Sequence, residues 1–166
     1  MVRVPLLLAA IVALFSSGLG AQSRPVEVGA DLGFQWEPDS DMYVLSIPAQ
    51  QLRVGVPVGL RGTVEPRVQF ALFGGDGADG VLDLAVALRY DLTDAPGTAP
   101  YVAIVPEMLA TFGDFSGTEF GLGAAFGLHF GRTERLAWRA EAGVSRFFDA
   151  DATLVRGLLG LTFYTH

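Results

Sequence analysis

The polar side chains best suited to chemistry in this chain are His129, Glu141 and Ser145, which fall on one face of two neighbouring predicted strands. A serine, a histidine and a carboxylate are the groups of a hydrolase triad. However, His129 lies near one end of its strand and Ser145 near the opposite end of the next, so the hydroxyl is out of reach of the imidazole. We therefore expect these side chains to join an interior polar network, and we predict a protein without enzymatic activity.

Metal and cofactor sites are not predicted either. Residues 74–82 (GGDGADGVL) fit the nine-residue Gly/Asp repeat that binds calcium between stacked copies, but the chain has one copy. A flexible hairpin loop is the expectation there. His129 and His166 have no second His or Cys at a metal-ligand spacing. We expect no cofactor.

Charge and composition limit the class of partner. When the segment containing Arg3 is set aside, ten arginines remain against eighteen acidic residues, and the chain has no lysine. Nucleic acid is excluded as a partner because its phosphates require a cationic surface. The chain has no cysteine, so an exported form is not held together by disulfides.

The first 21 residues have the three-part layout of a secretory signal peptide. Arg3 supplies a positive charge, residues 5–15 (PLLLAAIVALF) are apolar, and residues 16–21 are mostly small. The alternative, a membrane anchor, is disfavoured because a spanning helix needs about 20 apolar residues. We predict a signal peptide at 1–21 and one domain at 22–166.

Alternation of apolar and polar residues dominates the remainder and predicts β-strands. In residues 26–36 (VEVGADLGFQW) the pattern continues for eleven residues without a break. Residues 42–49 are expected to extend the second strand, with a bulge or an edge at Pro48. Eight alternating segments are present: 26–36, 51–58, 64–72, 82–91, 102–108, 119–130, 136–145 and 155–163. The sequence predicts an all-β fold, a single eight-stranded antiparallel up-and-down transmembrane β-barrel.

The polar faces of these segments differ from ordinary solvent-exposed faces. They mix Gly and Ala with isolated charges of both signs, which suits a narrow interior filled by side chains. We expect the charges to pair as a buried arginine–carboxylate network in which bidentate contacts matter. The predicted network comprises Glu27, Asp31, Arg53, Glu65, Arg67, Asp83, Arg89, Glu107, Glu119, Arg139, Glu141 and Arg156.

Alternation also fits a soluble β-sandwich or ligand-binding barrel. The distribution of aromatic residues favours lipid, because they gather near segment ends as in the girdles of membrane barrels. One girdle is predicted from Phe34, Trp36, Phe70, Phe73, Phe112, Phe115, Phe120, Phe147 and Phe148. The other is predicted from Tyr90, Tyr101, Phe130, Trp138, Phe163 and Tyr164.

On these patterns the chain resembles the small outer-membrane β-barrel family, and is similar to the eight-stranded barrel domain of outer membrane protein A and its compact relatives. The resemblance covers nearly all of residues 25–166 and rests on segments such as 52–55 (LRVG), 120–124 (FGLGA), 141–145 (EAGVS) and 157–163 (GLLGLTF). It implies that both termini and the turns near 59–62, 93–99 and 131–134 are periplasmic. The loops near 37–42, 74–80, 113–117 and 149–152 would face outwards.

The functional expectation is an outer-membrane barrel protein with a structural or surface role in a Gram-negative bacterium. Its expected partners are outer-membrane lipid and the outer-membrane assembly machinery, and the chain is expected to be a monomer. Three alternatives remain open: a narrow porin-like pore or small-solute transporter, a lipid-modifying outer-membrane enzyme, and a soluble periplasmic ligand-binding barrel.

Overall fold

The computed structural model describes residues 24–38, 42–73, 79–93, 97–113 and 116–165 of the chain. In these ranges no helix is long and apolar enough to cross a membrane. The predicted signal peptide at 1–21, residues 74–78 of the Gly/Asp segment and His166 lie outside the described residues.

Eight strands account for most of the described chain, and each pairs antiparallel with the next. The last strand pairs with the first, so the sheet closes into a barrel. The predicted all-β, eight-stranded antiparallel up-and-down barrel is therefore confirmed. The strands are β1 (Val26–Glu37), β2 (Met42–Val58), β3 (Gly62–Phe73), β4 (Asp79–Asp91), β5 (Ala99–Phe112), β6 (Gly117–Phe130), β7 (Leu136–Phe147) and β8 (Thr153–Thr165).

The register between β1 and β2 shifts at one place. Asp31 pairs with Gln51, and the next pair is Gly33 with Ser46, so one residue of β1 faces residues 47–50 of β2. Pro48 lies within this irregularity, as its missing N–H predicts. The extension of the second strand through 42–49 is likewise confirmed.

The inner face of the sheet is polar and the outer face is apolar, which is the reverse of a soluble protein. Charged residues point into the lumen, whereas large apolar residues are exposed on the outside along the strands. Leu52 and Leu122, for example, are 56% and 49% exposed, whereas Glu65 and Arg139 are completely buried. We call the end where β1 begins, β8 ends and the turns after β2, β4 and β6 lie the terminal end, and the other end the loop end.

Most of the predicted girdle aromatics that the structure describes face outwards. They are Phe34, Trp36, Phe70, Phe112, Phe120 and Phe148 towards the loop end and Tyr90, Trp138 and Phe163 towards the terminal end. Phe130 is half-buried. The side chain of Phe73 and the whole of Phe115 lie outside what the structure describes.

The girdle prediction was wrong for Tyr101, Phe147 and Tyr164, which point into the lumen and are 0%, 3% and 7% exposed. The reason is strand alternation. Each of these residues has the parity of inward-facing neighbours, and their position near a strand end does not override the pleat. Inside, the Tyr101 hydroxyl finds charged partners, and the ring of Phe147 packs beside Gly121.

Candidate functional site

The candidate site is the lumen itself, because the strands deliver most of the predicted network there. Glu119 is the exception: it is half-buried two residues from the loop-end start of β6 and makes no ion pair within the described part of the chain. Eleven of the twelve predicted residues are buried in the lumen: Glu27, Asp31, Arg53, Glu65, Arg67, Asp83, Arg89, Glu107, Arg139, Glu141 and Arg156.

Glu65 of β3 is the centre of this network. Arg67 Nε and Arg139 Nη1 donate to Glu65 Oε1 at 2.8 and 2.9 Å. Arg89 Nη1 donates to Glu65 Oε2 at 3.2 Å, and Arg53 Nη1 lies 3.5 Å from the same oxygen. One carboxylate therefore contacts four guanidinium groups, which come from β2, β3, β4 and β7.

Two of these arginines also form bidentate pairs across the lumen. Arg67 donates to both carboxylate oxygens of Glu141 at 2.6 and 2.8 Å. Arg89 donates to both oxygens of Glu27 at 2.7 Å. Parallel contacts of this kind match the planar fork of arginine and are among the strongest hydrogen bonds in proteins.

The network extends from Arg53 to β1 and β8, and it also reaches the terminal end of the barrel. Arg53 Nε donates to Asp31 at 2.8 Å, and its Nη2 donates to the Thr162 hydroxyl at 2.7 Å. At the terminal end, Arg24 forms an ion pair with Asp91 at 2.5 Å and donates to the Leu60 carbonyl at 3.0 Å. Arg24, which precedes β1, therefore reaches across the terminal end of the barrel to β4.

Tyr101 is an interior residue that the girdle prediction placed outside. Its hydroxyl donates to Glu141 Oε2 at 2.7 Å and accepts from Arg139 Nε at 2.5 Å. The guanidinium carbons of Arg89 and Arg139 lie 5.2 and 5.3 Å from its ring centre, within cation–π range. Alternation with Glu107 on the same strand was the signal that could have found it.

Glycines on the inner face create the space that these large side chains occupy. A Cβ on Gly127 would collide with the ring of Tyr101, and a Cβ on Gly29 would collide with the Arg53 guanidinium. A Cβ on Gly160 would collide with the Asp31 carboxylate. The small inward residues thus leave room for long side chains from neighbouring strands, as the sequence predicts.

The charges divide into two groups along the barrel. The first, which we call the balanced cluster, has five arginines and five carboxylates, and every one of them makes at least one hydrogen bond. Its members are Arg24, Arg53, Arg67, Arg89, Arg139, Glu27, Asp31, Glu65, Asp91 and Glu141. The second, the loop-side triad, consists of Asp83, Glu107 and Arg156, which lie closer to the loop end.

The hydrolase alternative finds no support in this geometry. Ser145 pairs in register with Gly123, and His129 is six residues further along the same strand. At about 3.3 Å per residue that separation is roughly 20 Å. His129 is buried against Tyr101, with ring centres 5.3 Å apart. Within the described ranges, no group of three His, Asp or Glu residues is arranged to hold a metal ion.

Solved structures share this fold. The chain is similar to Neisserial surface protein A with a TM-score of 0.62 at 12% identity, over 88% of this chain and 99% of that one. Ail, the attachment invasion locus protein of Yersinia pestis, gives 0.53 at 14% identity over 85% and 97% of the two chains. A major outer membrane protein from Thermus thermophilus gives 0.53 at 14% identity over 84% and 99%.

No protein-family model matches the sequence, and no curated protein matches it. The structural similarities show that the chain has the fold of the small eight-stranded outer-membrane barrels. The fold implied by the sequence resemblance is therefore confirmed.

Proposed function

We propose that the chain is an integral outer-membrane protein with a structural or surface role, and that it is not an enzyme. The observation that carries the proposal is the inverted distribution of polarity. The barrel buries charged residues in its lumen and exposes large apolar side chains on its outer face. In water this surface would be an exposed apolar patch far larger than soluble monomers tolerate. In a bilayer it meets hydrocarbon.

A charge placed on the outer face tests this proposal. Leu122 is exposed near the middle of β6, and Leu122→Arg should cost about 2–4 kcal/mol in a bilayer. We expect this variant to fail to insert into lipid vesicles, as judged by loss of the compact, heat-modifiable band in detergent gels. Ser116→Arg, in the loop just before β6, is the control and should insert normally. Equal insertion of both variants, or recovery of the wild type as a soluble periplasmic monomer, would contradict the proposal.

The packed lumen favours a structural role over a pore. Arginines from β2, β3, β4 and β7 converge on Glu65 inside a barrel whose eight strands enclose little space. We therefore propose that the barrel does not conduct. Planar-bilayer recordings of the purified protein should show no channel events, and steady unitary currents would favour the pore alternative.

The acidic charge at the loop end limits the ligands that a surface role would involve. Nine acidic residues and one arginine lie in or beside the loop-end connections: Glu37, Asp39, Asp41, Asp76, Asp79, Asp114, Glu119, Asp149, Asp151 and Arg146. One solved structure of Ail contains sucrose octasulfate, a heparin analogue. We propose that the loop end of this chain faces outwards and, because it is acidic, does not bind polyanions of that type.

A further inference from the structure

The loop-side triad differs from the rest of the lumen in having too few positive charges. Arg156 of β8 reaches across the lumen to β4 and β5, where its Nη2 atom lies 3.0 Å from Asp83 Oδ2 and 2.6 Å from Glu107 Oε2. Two carboxylates therefore share a single guanidinium nitrogen. If all three groups are ionised, the triad carries one negative charge in excess.

The triad is also poor in hydrogen bonds. The Glu107 side chain is completely buried; its Oε2 atom contacts Arg156, whereas its Oε1 atom has no hydrogen-bond partner among the described residues. Asp83 Oδ1 and Arg156 Nε are buried without partners in the same sense. Buried polar atoms are nearly always satisfied, by protein, water or a bound species. Asp83 Oδ1 and Glu107 Oε1 therefore have lone pairs available for a further group.

No other cation of the chain supplies the missing charge. Every arginine except Arg3 lies within the described residues. Arg67, the member of the balanced cluster whose charge acts on Asp83, is already paired with Glu65 and Glu141. Arg146 belongs to the outer face at the loop end, where it pairs with Asp151. An excess buried charge of this kind is costly unless a proton or a cation compensates it.

The surroundings of the triad favour a cation that enters from the loop end. Beside the triad, Gln35 Nε2 donates to Gln69 Oε1 at 3.0 Å, and both side chains are half-buried. Gln35 pairs in register with Arg156, and Gln69 pairs with Asp83. Glu119, two residues from the loop-end start of β6, is also half-buried. This half of the lumen is thus polar, negatively charged and partly exposed, which attracts small cations from solution.

We propose that Asp83 and Glu107 form a binding site for one small monovalent cation, an alkali ion or ammonium. A single positive charge neutralises the triad, and the free lone pairs of Asp83 Oδ1 and Glu107 Oε1 supply hard oxygen ligands. The residues do not make a multivalent metal centre, since the described chain brings no third His, Asp or Glu into such a group. The site needs a folded barrel but not a bilayer, so it is independent of the membrane proposal.

The test compares cations at constant ionic strength. The barrel is refolded in neutral detergent micelles, and its urea midpoint is measured in mixtures of potassium chloride and the chloride of bulky N-methylglucamine. We expect the wild-type midpoint to rise with potassium and then saturate, and thallium(I), a potassium surrogate, to give a saturable ²⁰⁵Tl NMR response. Glu107→Gln should abolish both effects, because the neutral amide removes the excess charge while preserving shape.

Two further variants complete the test. Asp83→Asn removes one negative charge from β4 and should also abolish the potassium dependence. It replaces Glu107→Gln in the test if that variant does not fold. Glu119→Gln removes a carboxylate from the mouth without touching the triad and should retain the dependence. The proposal is overturned if potassium and N-methylglucamine give the same wild-type midpoints, or if the triad variants keep the dependence. A midpoint that follows pH and ignores potassium would overturn it too, since a proton would then neutralise the triad.

Discussion

The two halves of the lumen solve the problem of buried charge in different ways. In the terminal half, five arginines meet five carboxylates, and Glu65 alone contacts four guanidinium groups. In the loop half, Asp83 and Glu107 compete for Arg156, and several buried polar atoms of these side chains make no hydrogen bond within the described chain. Equal numbers of positive and negative groups let the terminal half pair its charges, whereas the shortage of positive charge in the loop half is the basis of the proposed cation site.

The same contrast explains why the barrel can be stable with a charged interior. A buried ion pair contributes little by itself because desolvation offsets the attraction between the charges. The bidentate contacts of Arg67 and Arg89, with the hydroxyls of Tyr101 and Thr162, satisfy most of the buried polar atoms of the terminal half. The stabilisation comes from completeness of the network, so the loss of one central member should have a large effect.

The same substitution placed in the two halves gives the largest expected difference. Glu65→Gln leaves four arginines around a neutral amide and should lower the free energy of unfolding by about 3–5 kcal/mol. Glu107→Gln, in saturating potassium, should change it by less than about 0.5 kcal/mol, because the neutral amide removes the excess charge and leaves Arg156 paired with Asp83. Urea unfolding in lipid vesicles, followed by tryptophan fluorescence, measures both. Equal losses for the two variants would remove the distinction between the halves.

A smaller expected effect tests whether inward-facing glycines make room for the large side chains in the terminal half of the lumen. Gly127→Ala places a methyl group against the ring of Tyr101 and should destabilise the barrel by about 1–3 kcal/mol through overpacking. Gly157→Ala is the matched control, because a Cβ there meets nothing within 4 Å. Both glycines lie within strands, so the backbone effect of the change is shared. A loss at Gly157 as large as that at Gly127 would show that packing against Tyr101 is not the cause.

Much of the fold and the membership of the lumen followed from one property of the sequence, the two-residue period of a strand. That period fixes which face a residue occupies, and it placed eleven predicted charges inside. Pro48 marked the register shift because proline cannot donate to a ladder. The two-residue period does not specify how far along the barrel axis a residue lies. Glu119 therefore has the right face but lies too close to the loop end to join the network.

The pairing of charges could not be predicted from the sequence. Arg67 and Glu141 are 74 residues apart, on strands that are not neighbours, and they meet only because the barrel closes and long side chains cross it. The closure and the stagger of the strands decide which arginine reaches which carboxylate. Tyr101 was missed for another reason: its aromatic ring and its place near a strand end suggested a girdle, although its parity agreed with the lumen.

The central claim is that the apolar outer face lies in lipid, and the two tryptophans of the chain test it directly. Trp36 and Trp138 both point outwards, 41% and 46% exposed, near opposite ends of the barrel. The protein is refolded into vesicles whose lipids carry bromine atoms at known depths, and tryptophan fluorescence is recorded. We expect quenching of both residues, strongest for bromines near the interfaces, in Trp36→Phe and Trp138→Phe variants that report on one tryptophan each. Fluorescence that is insensitive to brominated lipid, in a barrel that is folded, would contradict the claim.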